Sequence, residues 1–181
     1  MTDTFARTGK CSSGYDTVQV DEFLTAAKAA YSGDSAADID ETTVRNTAFS
    51  WVRNGYEPAL VDAALDRLER AFIQRRRAKV VSTDGEAVWL EQTYEAARTL
   101  YPRLLRPAGE RFAKADGAGY QKEEVDELLD RVAQYFDGKA ALHSDEVRQA
   151  VFSSAKGDGA YSEAVVDVYL DRVISVLLAV E

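Results

Sequence analysis

Gly14-Tyr15-Asp16-Thr17-Val18-Gln19-Val20-Asp21-Glu22-Phe23-Leu24 is a phrase that this chain writes four times. Its frame, Gly-Tyr … Val-Asp … Leu, returns as Gly55-Tyr56 … Val61-Asp62 … Leu65 and as Gly119-Tyr120 … Val125-Asp126 … Leu129. A fourth copy, Gly159-Ala160-Tyr161 … Val166-Asp167 … Leu170, moves the glycine one place back. Tyr15 and Tyr56 stand 41 residues apart, and so do Tyr120 and Tyr161. The chain is a duplicated pair of half-repeats, and such repetition governs any reading of the fold.

Each copy reads as the start of a helix. Asp16, Glu57, Gln121 and Ser162 take the N-cap position, with Asp16 and Ser162 the better caps. The Tyr before the cap and the Val five residues later form a hydrophobic staple, and Asp16 with Gln19 approximates a capping box. Pro58 sits at the first helical position, where its missing N–H costs nothing. The glycines supply a tight turn. From the Val onward, apolar residues recur at 0, +3, +4, +7 and +11, as in Val125, Leu128, Leu129, Val132 and Phe136. That is one face of an amphipathic helix. The Asp after each Val (Asp21, Asp62, Asp126, Asp167) is either a solvated carboxylate near a helix N-terminus or the partner of an arginine on a neighbouring helix. Arg45 and Arg148 are the arginines placed to meet it.

The remaining segments extend the pattern. A middle helix is predicted over 41–53 in the first half and over 145–155 in the second. The helix from Pro58 should fray near Arg77, and a further helix should run from Glu86 to about Arg106, kinked or shortened by Pro102. The predicted fold is all-α: two tandem three-helix units, 1–80 and 108–181, joined by a linking helix in 81–107. That helix, with Trp89, Tyr94 and Tyr101, would fill the seam between the units. Units of this size bury little surface alone.

A net charge of −9 argues against nucleic acid as a partner. One cysteine, Cys11, leaves no intramolecular disulfide and fits a reducing compartment. The N-terminus has no apolar run and no stretch approaches a membrane span, so a cytoplasmic location, at most peripheral to the membrane, is expected. One histidine, His143, leaves no two-histidine metal motif, and no phosphate loop or nucleophile elbow is present. We therefore expect no metal, no cofactor and no enzyme; carboxylate-based acid/base chemistry is the remaining catalytic option. Arg75-Arg76-Arg77 is the one local basic run, read either as a solvated helix end or as a contact for an anionic lipid or protein.

Phe5-x-Arg7 followed by Gly14-Tyr15-Asp16-x-x-x-Val20-Asp21-x-Phe23-Leu24 resembles the N-terminal domain of the DivIVA family, and the four copies resemble the actinobacterial DivIVA-domain repeat proteins. The resemblance spans about half the chain. It implies a non-enzymatic scaffold or interaction protein of cell division or polar growth, with protein partners. A peripheral module for anionic or curved membrane is the alternative it raises. The family's membrane contact is an exposed Phe beside a cation, which here falls on Phe5 with Arg7 and Phe112 with Lys114. Phe49 and Phe152 fall on predicted helices instead and are read as core. No heptad run is sustained, so a monomer or small homodimer is expected rather than a filament.

Overall fold

A computed structural model describes residues 4–34 and 38–181. Residues 1–3 and 35–37 lie outside the described residues. The chain divides into two compact units, Met1–Lys79 and Val80–Glu181.

The first unit contains β1 (Ser13–Tyr15), α1 (Thr17–Ser32), α2 (Glu41–Arg45), β2 (Trp51–Arg53) and α3 (Pro58–Asp84), which runs on past the unit boundary. The Asp16 carboxylate caps α1 by accepting from the backbone N–H of Val18 at 2.9 Å and of Gln19 at 3.2 Å. The helix ends at Gly33, whose φ of 82° is the left-handed turn that glycine adopts freely. Val20, Tyr56 and Val61 form one buried cluster, with Phe5, Tyr15, Leu24 and Phe49 packed around it. Ala27, Val44 and Phe72 form a second, which joins α2 to α1 and α3.

The second unit repeats this plan. It contains β3 (Ala118–Gln121), α6 (Lys122–Phe136), α7 (Ser144–Arg148), β4 (Ser154–Lys156), β5 (Ala160–Tyr161) and α8 (Glu163–Val180). Ahead of these come α4 (Glu86–Arg98) and α5 (Tyr101–Leu104). Trp89 of α4 is 2 % exposed, and its indole N–H donates to the Ala179 carbonyl of α8 at 3.3 Å. Tyr169 of α8 donates to the Leu100 carbonyl at 2.9 Å. The expected linking helix is thus built into the second unit's own packing, and Tyr94, proposed for a seam, is exposed.

The all-α expectation is overturned by two small antiparallel sheets. In the first, Ser13, Gly14 and Tyr15 pair with Arg53, Val52 and Trp51. In the second, β3 lies between β4 and β5, with Gly119 opposite Ala155 and Tyr120 opposite Tyr161. The middle helices consequently stop at Arg45 and Arg148, well short of 53 and 155. Trp51-Val52-Arg53 is a strand-prone trio once it has an edge to pair with, and the Gly-Tyr segment supplies that edge. Phe49 and Phe152, placed on helices by their spacing, lie in the connections before β2 and β4 and pack on Tyr15 and Tyr120.

Other boundaries shift for local reasons. The approximate capping box does not close: Gln19 turns to Ser50, accepting from its backbone N–H at 2.9 Å. Glu124 does the same for Ser153 in the second unit, at 2.6 Å. Both contacts tie a helix N-terminus to the segment leading into a strand. Of the two effects expected of Pro102, the Glu86 helix shows the shortening: it ends at Arg98. A proline ring clashes with the carbonyl four residues earlier, which is that of Arg98. Helix α3 does not fray near Arg77, because Arg75 donates to the Ala30 carbonyl at 2.7 Å and Arg76 pairs with Glu41 at 2.7 Å.

The repeated glycine has a sharper role than the turn assigned to it. A Cβ on Gly14 would lie 2.2 Å from the Tyr56 carbonyl oxygen, and one on Gly119 would lie 2.1 Å from that of Tyr161. We expect Gly14→Ala and Gly119→Ala each to cost about 3 kcal/mol or more, since backbone must move to admit the methyl. Gly9→Ala, in open space, should leave the urea midpoint unchanged and serves as the control.

Candidate functional site

The four tyrosines of the repeat meet in two pairs. Tyr15 and Tyr56 exchange backbone hydrogen bonds, Tyr15 N–H to the Tyr56 carbonyl at 3.0 Å and Tyr56 N–H to the Tyr15 carbonyl at 2.9 Å. Their side chains then cross to the opposite half-repeat. The Tyr56 hydroxyl donates to the Asp21 carboxylate, 3.0 and 3.2 Å from its oxygens, and accepts from Thr4 N–H at 3.0 Å. The Tyr15 hydroxyl hydrogen-bonds Asp62. In the second unit Tyr161 lies 3.2 Å from both Asp126 oxygens and accepts from Arg111 N–H at 3.0 Å. Tyr120 reaches Asp167. Each half-repeat therefore lends its tyrosine to the other half's Val-Asp pair.

The electrostatics at Tyr15, Tyr120 and Tyr161 favour the protonated phenol. Burial pushes Tyr15 and Tyr120 above the usual phenol range, and the facing Asp62 and Asp167 charges add to the push. Burial raises Tyr161 as well, with the Arg111 N–H opposing and Asp126 assisting. Desolvation of its carboxyl lifts Asp62, against the pull of the Tyr15 hydroxyl. A phenol held neutral against a carboxylate is a donor and a packing surface. It is neither a nucleophile nor a base.

The partner of the recurrent Asp is thus a tyrosine hydroxyl, where the sequence left it either a solvated carboxylate or the partner of a middle-helix arginine. Arg45 donates instead to Glu69 at 2.7 Å, and Glu69 is buried in the first unit. Asp126 does have an arginine within 3.7 Å, but it is Arg111, which also donates to the Asp126 carbonyl at 2.8 Å and pairs with Asp130. The staple valines Val20, Val61, Val125 and Val166 are all buried.

The residues matched to a membrane contact fall elsewhere. Phe112 is 5 % exposed, its ring edge-on to Tyr161 and Tyr169 at 5.3 Å. Phe5 meets Tyr56 the same way at 5.4 Å. Both rings pack on the clasp rather than standing out from the surface. Arg7 lies over the Tyr56 ring, and Lys114 pairs with Asp158. Of the basic run, Arg75 and Arg76 tie α3 to α1 and α2 as described, and Arg77 is half-buried.

Two grooves of the second unit went unseen in the sequence. One, of about 420 Å³, gathers Arg103 and Arg106 from the α5 region with Arg172, Tyr169 and Val168 of α8. The three arginines come from segments some 70 residues apart, so no local run announces them. The other, of about 460 Å³, places Glu124, Glu127 and Glu146 around Arg131. Hydrogen bonds from Ser153 hold the Glu124 carboxyl below its ordinary range, and the His143 N–H and Arg131 do so for Glu146. Neither is tuned to give up a proton near neutrality. Cys11 and His143 are exposed. Among the described residues, no group of three or more His, Cys, Asp or Glu side chains could hold a metal ion. No helix among them is long and apolar enough to cross a membrane.

No family model, curated protein or solved structure matches this chain.

The raised phenols fix a sign for pH dependence. Above about pH 10 the unfolded chain releases tyrosine protons that the folded chain keeps, so stability is full below that pH and falls as pH rises through it. Urea midpoints at pH 9, 10 and 11 should show this decline, and the triple substitution Tyr15→Phe, Tyr120→Phe, Tyr161→Phe should make it shallower, leaving the part that burial of Tyr169 and Tyr135 contributes. Near pH 7, Tyr56→Phe and Asp21→Asn should show a coupling of about 0.5–3 kcal/mol in a double-mutant cycle. Strict additivity would mean that the hydroxyl and the carboxylate do not interact.

Proposed function

We propose that this chain is a non-enzymatic interaction protein, a scaffold of the kind that its resemblance to DivIVA-domain proteins of cell division or polar growth implies. One observation carries the reading. In all four copies the motif's tyrosine engages the aspartate of its partner half-repeat, fully buried at Tyr56 and Tyr161 and half-buried at Tyr15 and Tyr120. The motif's chemistry is consumed in building the units, and what each unit offers outward is surface. A tagged chain expressed in its native organism should retain division or cell-wall proteins. Light scattering over a concentration series should show a monomer or small dimer. Recovery of no such protein would sink the reading, and concentration-dependent polymers would replace it with a filament-forming role.

A second reading, as a peripheral membrane module, has its own observation. Arg103 and Arg106 flank Leu105, which is 79 % exposed, and Val168 beside Arg172 is 64 % exposed. Apolar side chains set among cations suit an anionic interface. Co-sedimentation separates the two readings. The scaffold reading predicts no binding to phosphatidylglycerol vesicles at physiological salt. The membrane reading predicts binding that Arg106→Glu with Arg172→Glu abolishes.

A further inference from the structure

The two units differ at one face, and the difference shows what is missing. Tyr15 and Tyr56 stand 105 residues before Tyr120 and Tyr161, so the flanking helices of the two units align position by position. Leu24, Tyr31, Ala64, Leu68 and Ala71 on α1 and α3 correspond to Leu129, Phe136, Tyr169, Val173 and Val176 on α6 and α8. In the second unit that face is covered. Tyr101 packs on Phe136 at 5.9 Å, Leu100 accepts from Tyr169, Thr99 accepts from Arg172, and Trp89 reaches the end of α8. Leu129, Tyr169, Val173 and Val176 are all buried as a result. In the first unit the same positions line an open groove of about 380 Å³. Leu24, Ala64, Leu68 and Ala71 are only partly buried there, and Tyr31 is 42 % exposed.

We propose that the α1–α3 face of the first unit is a docking site for an acidic amphipathic helix of a protein partner, seated as α4 is seated on the second unit. The fold itself supplies the template. Helix α4 presents Trp89 and Thr93, both buried, on one side. It also carries Glu86, Glu91 and Glu95 against a single Arg98. The rim of the empty groove is complementary, with Lys28 and Arg67 lining it and no carboxylate among its lining residues. Arg67 corresponds to Arg172, which holds Thr99 at the end of α4. At the place of Ala179, which accepts from the Trp89 indole, the first unit carries Gln74, whose carboxamide can accept in its stead. Such helix-in-groove recognition reads apolar anchors at one-turn spacing and leaves charge to set specificity.

The proposal rests on reading the chain as an interaction protein and names the partner's chemistry. Its test uses the full ¹⁵N-labelled chain and a peptide of residues 84–100, an acidic copy of the covering helix, titrated to about 1 mM. Amide shifts should concentrate on Leu24, Tyr31, Leu68 and Ala71. Ala71→Glu should abolish them at an unchanged urea midpoint. Arg67→Glu, a change at an exposed position, should weaken binding roughly tenfold if Ala71→Glu proves unstable. Shifts confined to Leu129, Val173 and Val176 would mean that the peptide only exchanges with α4, and would overturn the proposal. So would no shifts at all. A native dimer that Ala71→Glu converts to monomer would make a second copy the occupant, with the same consequence. If Ala71→Glu still recovers the wild-type set of partners from the native organism, this face is excluded while the scaffold reading stands.

Discussion

A buried tyrosine needs a partner for its hydroxyl, and for the tyrosines of the repeat that partner belongs to the other half-repeat. Tyr56 is fully buried and finds Asp21; Tyr161 is fully buried and finds Asp126. A hydrogen bond to a charged group contributes about 1.5–3 kcal/mol, and losing one partner leaves the other desolvated at comparable cost. The bond forms only if the two Gly-Tyr segments pass close enough to exchange backbone hydrogen bonds. That in turn excludes a Cβ at Gly14 or Gly119. The strands, the helix starts and the aromatic packing of Phe5 and Phe112 all depend on that close passage.

This dependence explains why the motif recurs as a whole. In an isolated half-repeat the tyrosine and the aspartate sit in the same phrase without meeting each other. The pair of half-repeats is the smallest unit in which every polar group of the motif is matched. Outside the clasp the two units have diverged. Glu69, buried and paired with Arg45, corresponds to Ile174 in the second unit. An ion pair and an apolar side chain can occupy equivalent core positions with little difference in stability, whereas removing one member of the pair leaves a buried charge. The clasp admits no such exchange, because its geometry is fixed by backbone.

The helices that follow each Tyr were legible because their apolar stripe recurs at helical spacing four times, and all four form. The strands were not. Val44, Ala48, Phe49, Trp51 and Val52 fit a helical stripe as well as they fit a short helix, a turn and a strand. What decides between these is a pairing edge more than 30 residues away at Ser13–Tyr15. The Val-Asp pair was visible, but its spacing leaves the Asp either solvated or paired with an arginine and does not point to a tyrosine. A tyrosine already occupied as a staple was not considered as a donor, although it serves both purposes at once. An exposed Phe5 and Phe112 were what the DivIVA resemblance implied. They pack on the clasp tyrosines from segments with no regular structure of their own. The groove of Arg103, Arg106 and Arg172 is a product of the fold alone.

A motif paired across half-repeats also separates what the chain must keep from what it can vary. Changing Tyr, Val, Asp or Gly of the repeat disturbs both halves of a unit, since each residue serves the half that does not contain it. The outer faces of α1, α3, α6 and α8 carry no such obligation. On the second unit, α4 and α5 close one of those faces; on the first, Leu24, Tyr31 and Leu68 still line an open groove. Duplication followed by covering only one copy leaves a stable frame with a surface already shaped for a helix. The eight tyrosine and aspartate side chains, paired across half-repeats, hold that frame while the outer faces stay free to vary.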